Sequence, residues 1–174
     1  MKYTLILMLI VVGHASAQQH GMTYYDVFKK FKYEDYYVDM DGRMDGKYTA
    51  YFIDGTIAVT RTYVHGTVEG REVEYWKEDH FRGISYVSNY KHGIKEGLQQ
   101  EYLDPVSGEY DNYVRREIFY VDGVAIWRKT YERVEGGKIC LTIKETWENH
   151  IYKKRYLLCD GSPCTAYEDV TEPY

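Results

Sequence analysis

Apolar and polar residues alternate in short runs along most of this chain, and each run stops at a glycine, an Asp-Gly pair or an asparagine. Tyr48–Ile53, Thr56–Val64, Val124–Val134, Lys138–Glu148 and Ile151–Cys159 read as strands, because a period of two puts one set of side chains on each face of a sheet. Tyr, Val, Ile and Thr dominate these runs, and all suit a pleated, half-buried surface. Asp54-Gly55 is a two-residue hairpin signal between its flanking strands. Glu135-Gly136-Gly137 and Asn149-His150 turn the last three runs into a meander. Pairing about Asn149-His150 sets Trp147 opposite Tyr152, Glu145 opposite Lys154, Ile143 opposite Tyr156 and Leu141 opposite Leu158. Only near the N-terminus does the period change: Tyr24, Val27, Phe28 and Phe31 share one helical face after Thr23, so a short helix over 24–32 capping the sheet is the favoured reading, with an extended strand as its competitor.

A repeat organises the centre. Tyr63-Val-His-Gly-Thr-Val-Glu-Gly-Arg-Glu-Val-Glu-Tyr75 returns 27 residues later as Tyr90-Lys-His-Gly-Ile-Lys-Glu-Gly-Leu-Gln-Gln-Glu-Tyr102, with seven of thirteen positions identical. Gly66 and Gly70, and then Gly93 and Gly97, are four apart, with a tyrosine three before the first and another five after the second. Gly42, Gly46 and Tyr51 extend the frame upstream, where Asp39 replaces the first tyrosine. Tyr120 and Gly123 begin a further copy, in which Trp127 stands where the second glycine belongs. Self-similarity at this period marks a repeat architecture. The expected fold is all-β, an elongated antiparallel sheet of repeated hairpins, with Tyr51, Tyr75 and Tyr102 forming one ladder and Tyr63, Tyr90 and Tyr120 another.

The frame Y-x-x-G-x-x-x-G-x-x-x-x-Y resembles the bacterial variant of the MORN repeat, found in antitoxin-like proteins. The resemblance covers roughly residues 36–131 and is cleanest in the two central copies. It implies an array of hairpins serving as a scaffold or binding surface, with no active site of its own.

Composition adds a compartment and a polarity. Lys2, the apolar run Leu5–Val12 and Ala15-Ser-Ala17 make residues 1–17 a secretory signal peptide cleaved after Ala17, too short to span a bilayer. Residues 18–35 then form a cap segment, 36–131 the array, 132–164 the C-terminal meander and 165–174 an acidic, frayed tail. The net charge of −5 argues against nucleic acid and anionic surfaces, which select clustered Lys and Arg.

Candidate chemistry is sparse. His65 and His92 precede turn glycines where Asp41, Asp54 and Asp122 stand in other turns, which points to a shared backbone role at positive φ. Asp39, Asp41 and Asp45 have the look of a calcium loop, but their glycine falls at the wrong position, and they read as solvated turn residues. No nucleophile elbow, phosphate-binding glycine loop or H-E-x-x-H is present. The expectation is therefore a secreted or periplasmic, non-enzymatic protein without a cofactor, which binds another protein or a cell-surface polymer. An immunity-like protein masking a basic toxin is the alternative, followed by an envelope hydrolase. Tyr86, Tyr110 and Tyr113, outside the ladders, are the tyrosines freest to contact a partner.

Three cysteines remain, an odd number for an exported chain. Two pairings compete: Cys159–Cys164 across Asp160-Gly161, and Cys140–Cys159 across the strand pair. Local turn chemistry favours Cys159–Cys164, which would leave Cys140 a buried thiol.

Overall fold

A computed structural model describes residues 18–77, 83–103, 113–134, 138–148, 151–164 and 170–173. The signal-peptide segment, Tyr110 and the turns at 135–137 and 149–150 lie outside the described residues. Thirteen strands form one open antiparallel sheet: β1 Gln19–Tyr24, β2 Lys32–Val38, β3 Gly46–Tyr51, β4 Ile57–Val64, β5 Thr67–Tyr75, β6 Ile84–Lys91, β7 Ile94–Lys95, β8 Gly97–Tyr102, β9 Val114–Val121, β10 Val124–Arg133, β11 Ile139–Glu148, β12 Ile151–Tyr156 and β13 Val170–Pro173. Each strand lies beside its neighbours in sequence, and β7 with β8 together line the far side of β6. At about 4.8 Å per strand spacing, such a meander is far wider than its strands are long.

The expected fold class is the observed one, and the turns explain the repeat. His65-Gly66, His92-Gly93 and Asp122-Gly123 all have positive φ at both residues (48° and 84°, 53° and 77°, 48° and 80°). They close two-residue hairpins between the pairs Val64–Thr67, Lys91–Ile94 and Val121–Val124, the geometry that matches the right-handed twist of strands. The histidines are turn residues, as expected.

The other Asp-Gly turns are built differently. Phe52 N–H donates to the Thr56 carbonyl and Gly55 N–H to the Phe52 carbonyl, so Ile53-Asp54-Gly55 is a three-residue loop in place of the expected two. Asp39-Met-Asp-Gly42 and Leu158-Cys-Asp-Gly161 repeat that hydrogen-bond pattern. In these loops the carboxylate of Asp54 or Asp160 accepts from the backbone N–H two residues on, at 2.9 and 2.8 Å, and glycine alone takes positive φ.

The second glycine of each repeat has a separate task. Gly46 lies opposite Tyr63, Gly70 opposite Tyr90 and Gly97 opposite Tyr120. All three have positive φ, and each marks a place where its strand runs two residues longer than the preceding one. Lys95 pairs with Tyr90, for example, but Gln100 pairs with Val87. In the last copy, with Trp127 at this position, a single extra residue remains between Ala125 and Trp127. Bulges of this kind bend a strand and increase its twist. The second tyrosines also share a register: Tyr51, Tyr75 and Tyr102 pair with Ile57, Ile84 and Val114, each across an irregularity. They line up two strands apart with aliphatic residues between them, and do not stack on one another.

Three expectations need correction. No helix covers 24–32; Tyr24 ends a strand, and Asp26 folds the following residues into a loop whose backbone N–H groups its carboxylate collects. The tail is not wholly frayed, because β13 pairs with β12 from Ile151–Pro173 to Lys154–Val170. Strand β12 is basic (Lys153, Lys154, Arg155) and would otherwise expose an edge of unpaired backbone groups, and β13 covers it from Ile151 to Lys154. Finally, Cys140 is bonded to Cys159, with Cα atoms 4.9 Å apart, and Cys164 is free. The meander register is the expected one, with Ile143–Tyr156, Glu145–Lys154 and Trp147–Tyr152 in pairs, and continuing it brings Cys140 opposite Cys159. The Asp160-Gly161 turn instead holds Cys159 near its tip, while Cys164 N–H reaches back to the Tyr156 carbonyl at 2.9 Å.

Candidate functional site

Alternation gives the sheet two unlike faces. One carries Val73 and Val87 with Thr49, all buried, and farther along it Phe119 stacks on Trp127 with ring centroids 5.7 Å apart. The other carries polar and aromatic residues: Glu34, Tyr48 and Arg61, then Glu72, Ser88 and Gln99, then Arg128, Glu145 and Tyr152. Here Glu72, Ser88, Gln99 and Glu145 are buried although none is apolar. Burial of such groups requires hydrogen-bond partners, and these four differ in how far they have them.

Two sub-networks differ in how well they close. Around Glu145 the closure is complete. Arg128 approaches its carboxylate with Nε and Nη2, the latter at 2.6 Å, and Tyr152 donates to it at 2.7 Å. Burial pushes the Glu145 carboxyl up, but Arg128 and Tyr152 outweigh that and hold it below the ordinary range. Burial, with the Glu145 hydrogen bond, pushes the Tyr152 hydroxyl up to about 12.

Around Glu72 the closure is partial. Burial raises the Glu72 carboxyl above the ordinary range, against the pull of Arg61. Arg61 Nε stands 2.9 Å from Glu72 Oε2 yet is out of line for a good hydrogen bond. Tyr86 donates to Gln99 Oε1 at 2.6 Å and Lys95 to the same oxygen at 3.2 Å. Since lysine only donates, this fixes the amide orientation, and Gln99 Nε2 then finds no acceptor among the described residues. The Trp76 indole N–H is in the same position, while the buried Ser88 hydroxyl has, among the described residues, only the Tyr86 and Tyr90 hydroxyls to bond with. Burial pushes the Tyr86 hydroxyl up to about 12 and raises that of Tyr90.

Beside this network lies a cleft of about 540 Å³ lined by Glu72, Glu74, Trp76, Ser85, Tyr86, Tyr90, Lys95 and Glu101, within the size range of small-molecule sites. The extra residue of β6 opposite Tyr75 is Ser85, and such a bulge re-aims side chains toward one face. Lys95 sits over the rings of Tyr86 and Tyr120, 5.8 and 5.4 Å from their centroids. Arg116 pairs with Glu101 at 2.8 Å. Glu74 has no hydrogen bond or ion pair among the described residues.

The repeat residues singled out from the sequence build this surface without forming its floor. Tyr90 lines the cleft, Tyr120 lies under Lys95, and Gly70 and Gly97 face those two tyrosines. Gly42, Gly66, Gly93 and Gly123 make turns, and Gly46 with Tyr63 forms the same glycine–tyrosine pair one repeat before Gly70 and Tyr90. Tyr51, Tyr75 and Tyr102 mark the opposite ends of the strands. Asp39 is not the solvated residue expected: it is buried, accepting from Asp41 N–H, Arg43 N–H and Arg43 Nε at 2.9–3.0 Å. Among the described residues no three His, Cys, Asp or Glu side chains converge as metal ligands, and no helix is long and apolar enough to cross a membrane. The residues that sequence reasoning missed are Glu72, Ser88, Gln99 and Trp76. The available signal was polar residues at inward positions of otherwise half-apolar strands.

Compared with protein-family models, curated proteins and solved structures, the chain matches none. The likeness to the bacterial MORN variant rests on the Gly-Tyr frame alone.

Proposed function

We propose that this is an exported, non-enzymatic binding module, MORN-like in its frame, whose polar–aromatic face takes a hydroxyl-rich polymer of the cell surface. The observation that carries the reading is the incomplete network at the cleft: the N–H groups of Trp76, in its lining, and of Gln99, bonded behind it to Tyr86 and Lys95, find no acceptor among the described residues, and the Glu74 carboxylate and the rings of Tyr86 and Tyr90 stand beside them. A sugar hydroxyl both donates and accepts, and the C–H face of a pyranose packs on aromatic rings. A free anion meets three carboxylates here, and a simple cation meets Lys95. The Cys140–Cys159 bond suits an oxidising compartment.

Retention of the full chain on insoluble glucan, chitin, mannan and galactan tests this. Retention by at least one, lost in Trp76→Ala and Tyr86→Ala, is the expected result. Capture of one stoichiometric basic protein, with no polymer retained, would favour the immunity-like alternative. Turnover abolished by a single Glu substitution would sink the non-enzymatic reading.

A further inference from the structure

The loop between β1 and β2 presents Val27 and Phe28 at 89% exposure each. This is not a slack segment. Tyr25 N–H donates to the Phe31 carbonyl and Lys29 N–H to the Asp26 carbonyl, at 2.8 and 3.2 Å. The Asp26 carboxylate accepts from the backbone N–H of Phe28, Lys30 and Phe31 at 2.8–3.3 Å. Tyr25 hydroxyl pins the loop to β3 through the Tyr51 carbonyl, 2.7 Å away. The loop is thus held in one shape that displays two adjacent apolar side chains to solvent, and the fold gains nothing from placing them there.

We propose that this tip is a lipid-surface anchor, with Val27 and Phe28 entering the interface of a phospholipid bilayer and Lys29 and Lys30 meeting its phosphates. Exposure falls off from the apolar pair to its aromatic flanks. Beyond the apolar pair come Tyr25, Phe31 and Tyr33, each 40–44% exposed, the aromatic residues that favour the headgroup level. The one acid of the tip, Asp26, is turned inward onto backbone N–H groups, so the outward charge is Lys29 and Lys30 in a chain of net charge −5. A projecting tip with its two most apolar side chains outermost suits a medium that can be penetrated. With only two inserted side chains the association is weak and reversible.

The test is co-flotation of the full chain with vesicles of phosphatidylcholine alone and of phosphatidylcholine with phosphatidylserine. Binding to both is expected, stronger with phosphatidylserine. Val27→Ser with Phe28→Ser abolishes binding to both. Lys29→Gln with Lys30→Gln removes only the phosphatidylserine increment, roughly fivefold per lysine. Phe28→Trp emission shifts to the blue on vesicles and is quenched by brominated lipid. All these positions are exposed, so an unchanged circular dichroism spectrum secures the fold. No association with either vesicle, or serine variants that bind like the parent, overturns the anchor. The inference stands apart from the polymer site: the serine variant keeps polymer retention, and Trp76→Ala keeps vesicle binding.

Discussion

His92 donates its backbone N–H to Glu69 Oε2 at 2.6 Å, across 23 residues of chain. One repeat later Asp122 N–H donates to Glu96 Oε2 at 2.8 Å, and one earlier His65 N–H donates to Asp45 Oδ1 at 3.1 Å. The acid before each second glycine therefore receives the next turn. Alongside, Gly66, Gly93 and Gly123 N–H groups donate to the carbonyls of Met44, Val68 and Lys95 at 2.7–3.0 Å. Successive hairpin tips are stitched together beyond the strand ladder, which is why Glu-Gly recurs in the motif.

Glu69→Ala and Glu96→Ala are each expected to destabilise by about 1 kcal/mol, the net worth of a partly solvated hydrogen bond. Glu69→Gln, which keeps an acceptor oxygen, should lose less. Urea denaturation measures both, and equal losses for Ala and Gln would contradict the acceptor role.

Glycine is demanded at Gly93 for two reasons and at Gly70 for one. Both have positive φ, but a Cβ on Gly93 would lie 2.8 Å from Thr67 Cγ2, whereas nothing stands within 4 Å of one on Gly70. Gly70→Ala should lose about 1–2 kcal/mol, the left-handed penalty alone, and Gly93→Ala more. In a Thr67→Ser background, which removes the obstructing methyl, the two alanine variants should converge.

Opposite pH dependence is expected at the two buried glutamates. The Glu145 carboxyl is depressed on folding, so it contributes stability above the unfolded-state value, lost as pH falls through its folded pKa. Glu145→Gln should lose about 2–3 kcal/mol at pH 7, less than for a fully buried pair because Arg128 is partly solvated, and little in acid. The Glu72 carboxyl is raised by burial, so its ionised form opposes folding and the loss is relieved as pH falls through that raised pKa. Glu72→Gln should therefore be far milder at pH 7 than Glu145→Gln. Denaturation midpoints across pH 3–8 decide it.

Non-reducing peptide mapping should recover a Cys140–Cys159 crosslink and a titratable thiol at Cys164. The bond spans 19 residues, so Cys140→Ser with Cys159→Ser should destabilise by about 3 kcal/mol on loop entropy. A Cys159–Cys164 peptide would refute the Cys140–Cys159 pairing.

What the sequence made legible follows the reach of each signal. Alternation and the His-Gly frame locate strands, turns and the β11–β12 register because those signals are local and have one physical solution. The disulfide was misjudged although that register implied it, since the short Cys159–Cys164 spacing does not reveal where in a turn each cysteine falls. Tyr24, Val27, Phe28 and Phe31 mimic a helical face, but Asp26 captures the following N–H groups and ends any helix. The cleft was invisible for a different reason. Glu72, Ser88 and Gln99 come from three strands, and only the bulges at the second glycines set how those strands slide past one another.

The strict meander has a consequence for how such a chain is made and altered. Every strand contacts strands adjacent in sequence, so hairpins can form as they leave the ribosome without waiting for distant segments. A unit could be duplicated or deleted between two Glu-Gly positions and its neighbours would still find acceptors for their turns. Length is then a variable that evolution can adjust in steps of one hairpin, and the copy beginning at Tyr120, where Trp127 replaces glycine and the two-residue bulge shrinks to one, reads as the place where that counting stops.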